Sequence, residues 1–150
     1  KTYEFTTVKG VEGSCDLARS RTAIVGMGSL KEGVPVFERL WLHPRDYGFD
    51  GQDPSLDDDF VLTLEGTIHG EPSELTRSVV WNGGFYLWRS GAVATLSEGF
   101  QRAQTLLETR QVKAKRDQIR DAIATALNQH LSTVCPTALK ALPGAYHYRC

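Results

Sequence analysis

The chain has 150 residues, 41% hydrophobic and 23% charged, with a formal net charge of −1. A chain of this size buries about 70% of the surface it exposes when unfolded, which excludes intrinsic disorder, and its near-neutral balance excludes nucleic-acid binding through a globally basic surface, leaving only a local patch. No run reaches the roughly 18 apolar residues of a membrane span, and "KTYEFTTVKG" lacks the apolar stretch of a secretory signal, so neither a spanning nor a targeting segment is expected.

The first two-thirds of the chain read as strands. "TYEFTTV" alternates, with Tyr3, Phe5 and Thr7 on one side, and "VEGS" supplies a turn before "CDLARSRTAIV", so a β-hairpin is expected over residues 1–24. The Gly-rich "GMGSLKEG" follows as a connection. The segments "VPVFERLWLH", "FVLTLEGTI" (60–68) and "TRSVVWNGGFYLWRS" (76–90) are strand-length, rich in β-branched and aromatic residues, and bounded by Gly, Pro or Asp, which predicts a sheet within 34–90. Between the first two, "PRDYGFDGQDPSLDDD" carries six aspartates with prolines and glycines and reads as a long surface loop. A hard cation could be drawn to that run, but the spaced oxygen ligands and fixed glycine of a calcium loop are missing.

From residue 95 the period changes. "TLSE" sets Thr95 and Glu98 in a capping-box pattern ahead of Leu96, Phe100, Ala103 and Leu107 at helical spacing. A second stripe, Ile119, Ala122, Ile123, Ala126, Leu127 and Leu131, repeats at three and four, so one long or two abutting helices are expected over 96–131. A short helix opening at Pro136 and closing before Pro143-Gly144 completes a helical region over 95–142, with a tail over 143–150. Strands followed by helices without alternation predict an α+β fold, with an antiparallel meander rather than a parallel sheet.

Alternation also assigns sheet faces. Leu40 and Leu42 oppose Arg39, Trp41 and His43; Phe60, Leu62 and Leu64 oppose Thr63, Glu65 and Thr67; Phe85 and Leu87 oppose Asn82, Tyr86 and Trp88. The second face is polar yet studded with aromatics and cations. It reads as an ordinary solvated surface, as a face that stacks unpaired bases and contacts phosphate, or as the lining of a ligand cleft. No catalytic or metal site is expected: no serine lies in a G-x-S-x-G elbow, and His43, His69, His130 and His147 form no i, i+4 pair. The cysteines, Cys15, Cys135 and Cys150, are widely spaced and odd in number, which argues against a disulfide framework.

The order hairpin, meander, C-terminal helices and aromatic tail resembles the coat proteins of single-stranded RNA bacteriophages. "RDQIRDAIATALNQHLSTVCPTALKALPGAYHY" is similar to that family's closing pattern, "GSLKEGVPVFERLWLH" to its turn leading into a basic and polar strand, and "TRSVVWNGGFYLW" to its last long strand. The similarity covers most of the chain through degenerate motifs. The stretch 92–114 and the aspartate-rich loop are longer than the family pattern, "HGEPSEL" is short, and the tail runs on past Tyr146.

The resemblance implies a five-stranded antiparallel sheet in an interlocked homodimer with a continuous ten-stranded sheet, closing into an icosahedral capsid of T=3 type. It implies a virion component assembled in the bacterial host cytoplasm, without catalytic activity or cofactor, whose partners are other copies of itself, the single-stranded RNA genome and the maturation protein, and which represses translation at an RNA hairpin. Carried over by position, it makes Arg39, Trp41 and His43 the first RNA-facing strand, Thr63, Glu65 and Thr67 the second, and Asn82 with Tyr86 the last. Cys150 is placed where an intersubunit disulfide could form. The alternative is a monomeric α+β domain that binds a ligand or a protein on the same face.

Overall fold

A computed structural model describes residues 4–9, 14–55 and 57–134, with side chains through residue 130. The fold is α+β. Three strands, β1 (Glu4–Val8), β2 (Ala23–Lys31) and β3 (Val34–Leu42), form an antiparallel sheet in the order β1-β2-β3. A 3-10 turn over Pro44–Tyr47 leads into four helices, α1 (Phe60–Ile68), α2 (Glu74–Arg89), α3 (Leu96–Glu108) and α4 (Gln111–Val134). Two compact units divide the chain, one ending at Gln111 and one beginning at Val112. The expected helix at Pro136 and the tail with Cys150 lie outside the described residues.

β1 pairs antiparallel with β2, but the expected second strand over 15–22 is not formed: β2 begins at Ala23, its residues opposite β1 are 25–29, beyond the expected 1–24, and it runs straight through the Gly-rich stretch. The turn is shorter than the sequence suggests. It is the two-residue loop Glu32–Gly33, whose φ values of 52° and 81° match the type I′ geometry that follows the twist of antiparallel strands. Pro35, which cannot donate to a ladder, is tolerated because β3 is an edge strand.

The fourth and fifth strands of the expected meander are helices. In 60–68 the half-buried Phe60 and Leu64, the buried Thr67 and the half-buried Ile68 recur at helical spacing, while Val61 and Leu62 face outward. In 74–89 the buried residues Leu75, Ser78, Trp81 and Phe85 repeat at three and four. Its start is fixed by a capping box in which Ser73 accepts from the Thr76 amide at 3.3 Å and the Ser73 amide donates to Thr76 Oγ1 at 3.0 Å. Gly83-Gly84, read as a weak point of a strand, instead lets two helices meet backbone to backbone. A Cβ on Gly84 would lie 2.7 Å from the Phe100 nitrogen, and one on Gly99 would run into the Gly84 carbonyl. Here tertiary packing overrides the local preference for strand.

The Thr95–Glu98 capping box forms as expected, with Glu98 N donating to Thr95 Oγ1 at 3.2 Å and Thr95 N to Glu98 Oε2 at 3.2 Å. The helices part at Arg110, whose φ of 58° ends α3. An aromatic cluster fills the core beside α2 and α3. Trp81 stacks on Phe100 with centroids 5.2 Å apart, and Tyr47 and Phe49, from the segment after β3, pack against both rings.

The segment before β2 is pinned by polar contacts. Arg19, 4% exposed, donates to the carbonyls of Phe49 (2.9 Å) and Glu74 (3.1 Å) and to Ser78 Oγ (3.3 Å). Its own amide donates to Asp53 Oδ1 at 2.6 Å, and the Ser20 hydroxyl donates to Asp53 Oδ2 at 2.5 Å. Partial burial opposes the Asp53 charge, yet the Ser20 hydroxyl, the Arg19 and Ser20 amides and the Arg21 charge outweigh it and hold the carboxyl below the usual range. A depressed folded-state pKa adds stability above the unfolded value, near 3.9, that is lost as pH falls through the folded value. Asp53→Ala is therefore expected to cost about 1–2 kcal/mol at neutral pH, with the gap to the parent protein closing in strong acid, as read by urea denaturation across pH.

In the second unit, α4 carries an ion-pair cluster on Asp117, with Lys113 at 2.7 Å, Arg116 at 3.3 Å and Arg120 at 3.4 Å. The hydrogen bond from Lys113 leads the contributions that lower the Asp117 pKa. Ile119, Ile123 and Leu127, one per turn, are exposed. No helix among the described residues is long and apolar enough to cross a membrane.

Candidate nucleic-acid interface

Strand pairing fixes which side chains share the outer face of the sheet. Residues directly opposite in an antiparallel pair point the same way, so the core residues Ala23, Val25 and Leu42 define the inner face. The outer face then holds Phe5 and Thr7 of β1, Ile24, Gly26, Gly28 and Leu30 of β2, and Pro35, Phe37, Arg39 and Trp41 of β3. Phe5, Phe37 and Trp41 are 57%, 58% and 54% exposed.

The two central-strand glycines form the floor of this face. A Cβ on Gly28 would run into the Phe5 ring, and one on Gly26 would sit 2.5 Å from Thr7 Oγ1 and 2.8 Å from the Phe37 ring. The rings therefore lie over bare backbone, an arrangement that protects the glycine ladder and turns ring faces outward. Arg39 stands opposite Gly26, two residues from each of Phe37 and Trp41, and makes no ion pair with a described residue. Trp41 stands opposite Ile24. One step beyond the ladder, Thr22 Oγ1 and His43 Nδ1 share a hydrogen bond of 2.7 Å, which continues the same face to the end of the sheet.

Arg39, Trp41 and His43 are thus brought together as expected. The other predicted residues are elsewhere, because the strands that would have carried them are helices. Thr63 is exposed on α1, and Glu65 is half-buried there with His69 at 4.0 Å. Thr67 is buried, donating to the Thr63 carbonyl at 2.8 Å and sharing a 2.8 Å hydrogen bond with Ser73 Oγ. Asn82 braces the segment before β2, accepting from the Leu17 amide at 2.7 Å and donating to the Leu17 carbonyl at 3.3 Å. Tyr86 donates to the Cys15 carbonyl at 2.7 Å. Burial, followed by its contact with Cys15 and the Asp16 charge, pushes its hydroxyl pKa well above the usual range. None of these five side chains extends the sheet face, and the polar groups of Thr67, Asn82 and Tyr86 are spent on the fold.

Phe5 and Phe37 join the site without having been assigned to it. The signal was present: Phe37 has the parity of Arg39 and Trp41, and Phe5 alternates with Thr7. Among the described residues no group of three or more His, Cys, Asp or Glu is arranged to hold a metal ion. No protein-family model and no curated protein matches this chain.

Proposed function

We propose that this chain is a coat-protein subunit that binds single-stranded RNA on the outer face of its sheet and assembles with copies of itself into a shell. The observation that carries the RNA reading is the alignment of Phe5, Phe37 and Trp41 with Arg39, which pairs with no described acidic residue, on one glycine-floored face. Exposed rings on a sheet stack unpaired bases, while a nearby guanidinium takes phosphate, and neither contact needs a basic protein overall. An apolar patch of this kind marks an interaction surface.

Self-association draws support from two further features. β3 is a nine-residue edge that pairs with no described strand on the side away from β2, and α4 carries the exposed stripe Ile119, Ile123 and Leu127. A dimer joined edge to edge through the described strands would hold six rather than ten, since the described residues of each subunit form three. The capsid would be a virion component, with the RNA genome and a maturation protein as its other partners.

Size-exclusion chromatography with light scattering on protein prepared without nuclease, with the 260/280 nm absorbance ratio recorded, tests this. A megadalton particle carrying nucleic acid is the expected result. A species of the chain mass that stays monomeric across salt and concentration would overturn the capsid reading and favour a monomeric domain that uses the same face for a ligand or a protein.

A further inference from the structure

At the end of the sheet where Thr22 meets His43, a cavity of about 310 Å³ opens. Its lining includes Arg19, Arg21, Thr22, His43, Arg45 and Asp50. The Arg19 guanidinium is committed to the Phe49 and Glu74 carbonyls, to Ser78 and to the Glu74 carboxylate at 3.6 Å, so it frames the cavity without being free to act in it. Arg21 and Arg45 are exposed and carry the charge that a ligand would meet. Arg45 pairs with Asp46 at 3.7 Å, but that contact is solvent-exposed and of little strength, and Asp46 is not part of the lining. Arg21 is felt by Asp53, whose own oxygens are taken up by Ser20 and by two amides. Asp50 is the one carboxylate in the lining.

Two accessible guanidinium groups, a threonine hydroxyl and an imidazole converge on an open cavity, a donor-rich set that suits a tetrahedral oxyanion. When Thr22 donates to His43 Nδ1, its one hydroxyl proton is used there and the ring proton sits on Nε2, so the pair offers the ligand the imidazole N–H as its donor. The cavity also continues the aromatic face. Trp41 and Ile24 form the last ladder pair on that face, and His43 and Thr22 stand two residues further along each strand.

We propose that this cavity binds a phosphate group and, resting on the RNA reading above, that the phosphate belongs to the strand lying across Phe5, Phe37 and Trp41. The aromatic face would take bases and the cavity would anchor the backbone at one end, setting where the strand enters. Either an internal phosphodiester or a terminal phosphomonoester presents the required oxygens.

Arginine-selective labelling with phenylglyoxal, read by peptide mass spectrometry, tests the cavity on the intact protein whatever its assembly state. Inorganic phosphate is expected to slow labelling of Arg21 and Arg45 severalfold relative to sodium chloride of equal ionic strength, and to leave the exposed Arg102 unprotected. Equal labelling in both salts would overturn the phosphate site, however well the protein binds RNA. A second arm uses fluorescein-labelled oligouridylate with and without a 5′-phosphate, with Arg21→Gln and Arg45→Gln as variants. Each variant is expected to flatten the dependence of log K on log salt by about 0.7. Flattening confined to the 5′-phosphorylated strand assigns the site to a terminal phosphate, an equal effect on both strands assigns it to an internal one, and no effect on either removes the RNA from the cavity. Protection by phosphate without any protection by oligouridylate would keep the phosphate site and remove the RNA from it.

Discussion

Trp81→Ala is expected to cost about 3–5 kcal/mol of folding stability, a large share of the 5–15 kcal/mol typical of a domain. Trp81 is fully buried, stacks on Phe100 of α3 and packs against Tyr47 and Phe49, so it joins three segments that are distant in sequence. Truncation would leave a cavity between two helices that meet at Gly84 and Gly99, where the backbones are already in contact and cannot close further. The conservative variant separates packing from polar effects. Trp81 Nε1 is buried with no hydrogen-bond partner among the described residues, so Trp81→Phe removes a donor unpaired there as well as part of a ring, and the two changes partly offset. Urea denaturation followed by circular dichroism should show a large drop in midpoint for the alanine variant and a much smaller one for phenylalanine. Similar losses for both would mean that the stacking with Phe100 contributes little. Because Tyr47 and Phe49 follow Pro44 and Arg45 closely, the alanine variant should also loosen the cationic cavity at the end of the sheet.

The parts of this architecture legible in the sequence are those where one signal acted alone. Thr95 and Glu98 sit three apart before an apolar stripe, and the capping box they predict is present. Arg39, Trp41 and His43 alternate with Leu40 and Leu42, and strand pairing puts them on the side predicted. Segments 60–68 and 76–90 carried two signals. Their β-branched and aromatic residues favour strand, whereas Leu75, Ser78, Trp81 and Phe85 also fit a helix period, and a short apolar run does not by itself decide between the two. For 76–90 the helix is bound up with the close approach of Gly84 to Gly99, a contact fifteen positions apart that no local window holds. The same limit hid the cationic cavity, which unites Arg21 and Thr22 with His43 and Arg45 from across the β2–β3 hairpin. Gly26 and Gly28 misled for a different reason: glycine weakens a strand unless a neighbouring ring covers it, and the rings come from β1 and β3. Asn82 and Tyr86 have the chemistry of a binding surface, yet their polar atoms serve the Leu17 and Cys15 backbone instead.

Phe37→Ala combined with Trp41→Ala is expected to weaken binding of a single-stranded oligonucleotide by roughly 2–6 kcal/mol, since stacking is worth about 1–3 kcal/mol per base. Both rings are more than half exposed, so most of their surface is available to a ligand and little of it serves the core. Phe37 also covers Gly26, which gives its single variant a modest stability cost that Trp41→Ala should not share. Fluorescence anisotropy across a salt series distinguishes the two kinds of contact on this face. The aromatic variants should lower affinity at every salt concentration with an unchanged slope, because stacking releases no counterions. Arg39→Gln should act in the opposite way, flattening the slope by about 0.7 with a smaller loss at high salt. Unchanged affinity in the double aromatic variant would rule out stacking, and the exposed rings would then belong to a contact between proteins. A loss in both affinity and slope on removing the rings would mean instead that Phe37 and Trp41 hold Arg39 in place and that the phosphate contact, with its sequence-independent attraction, dominates recognition.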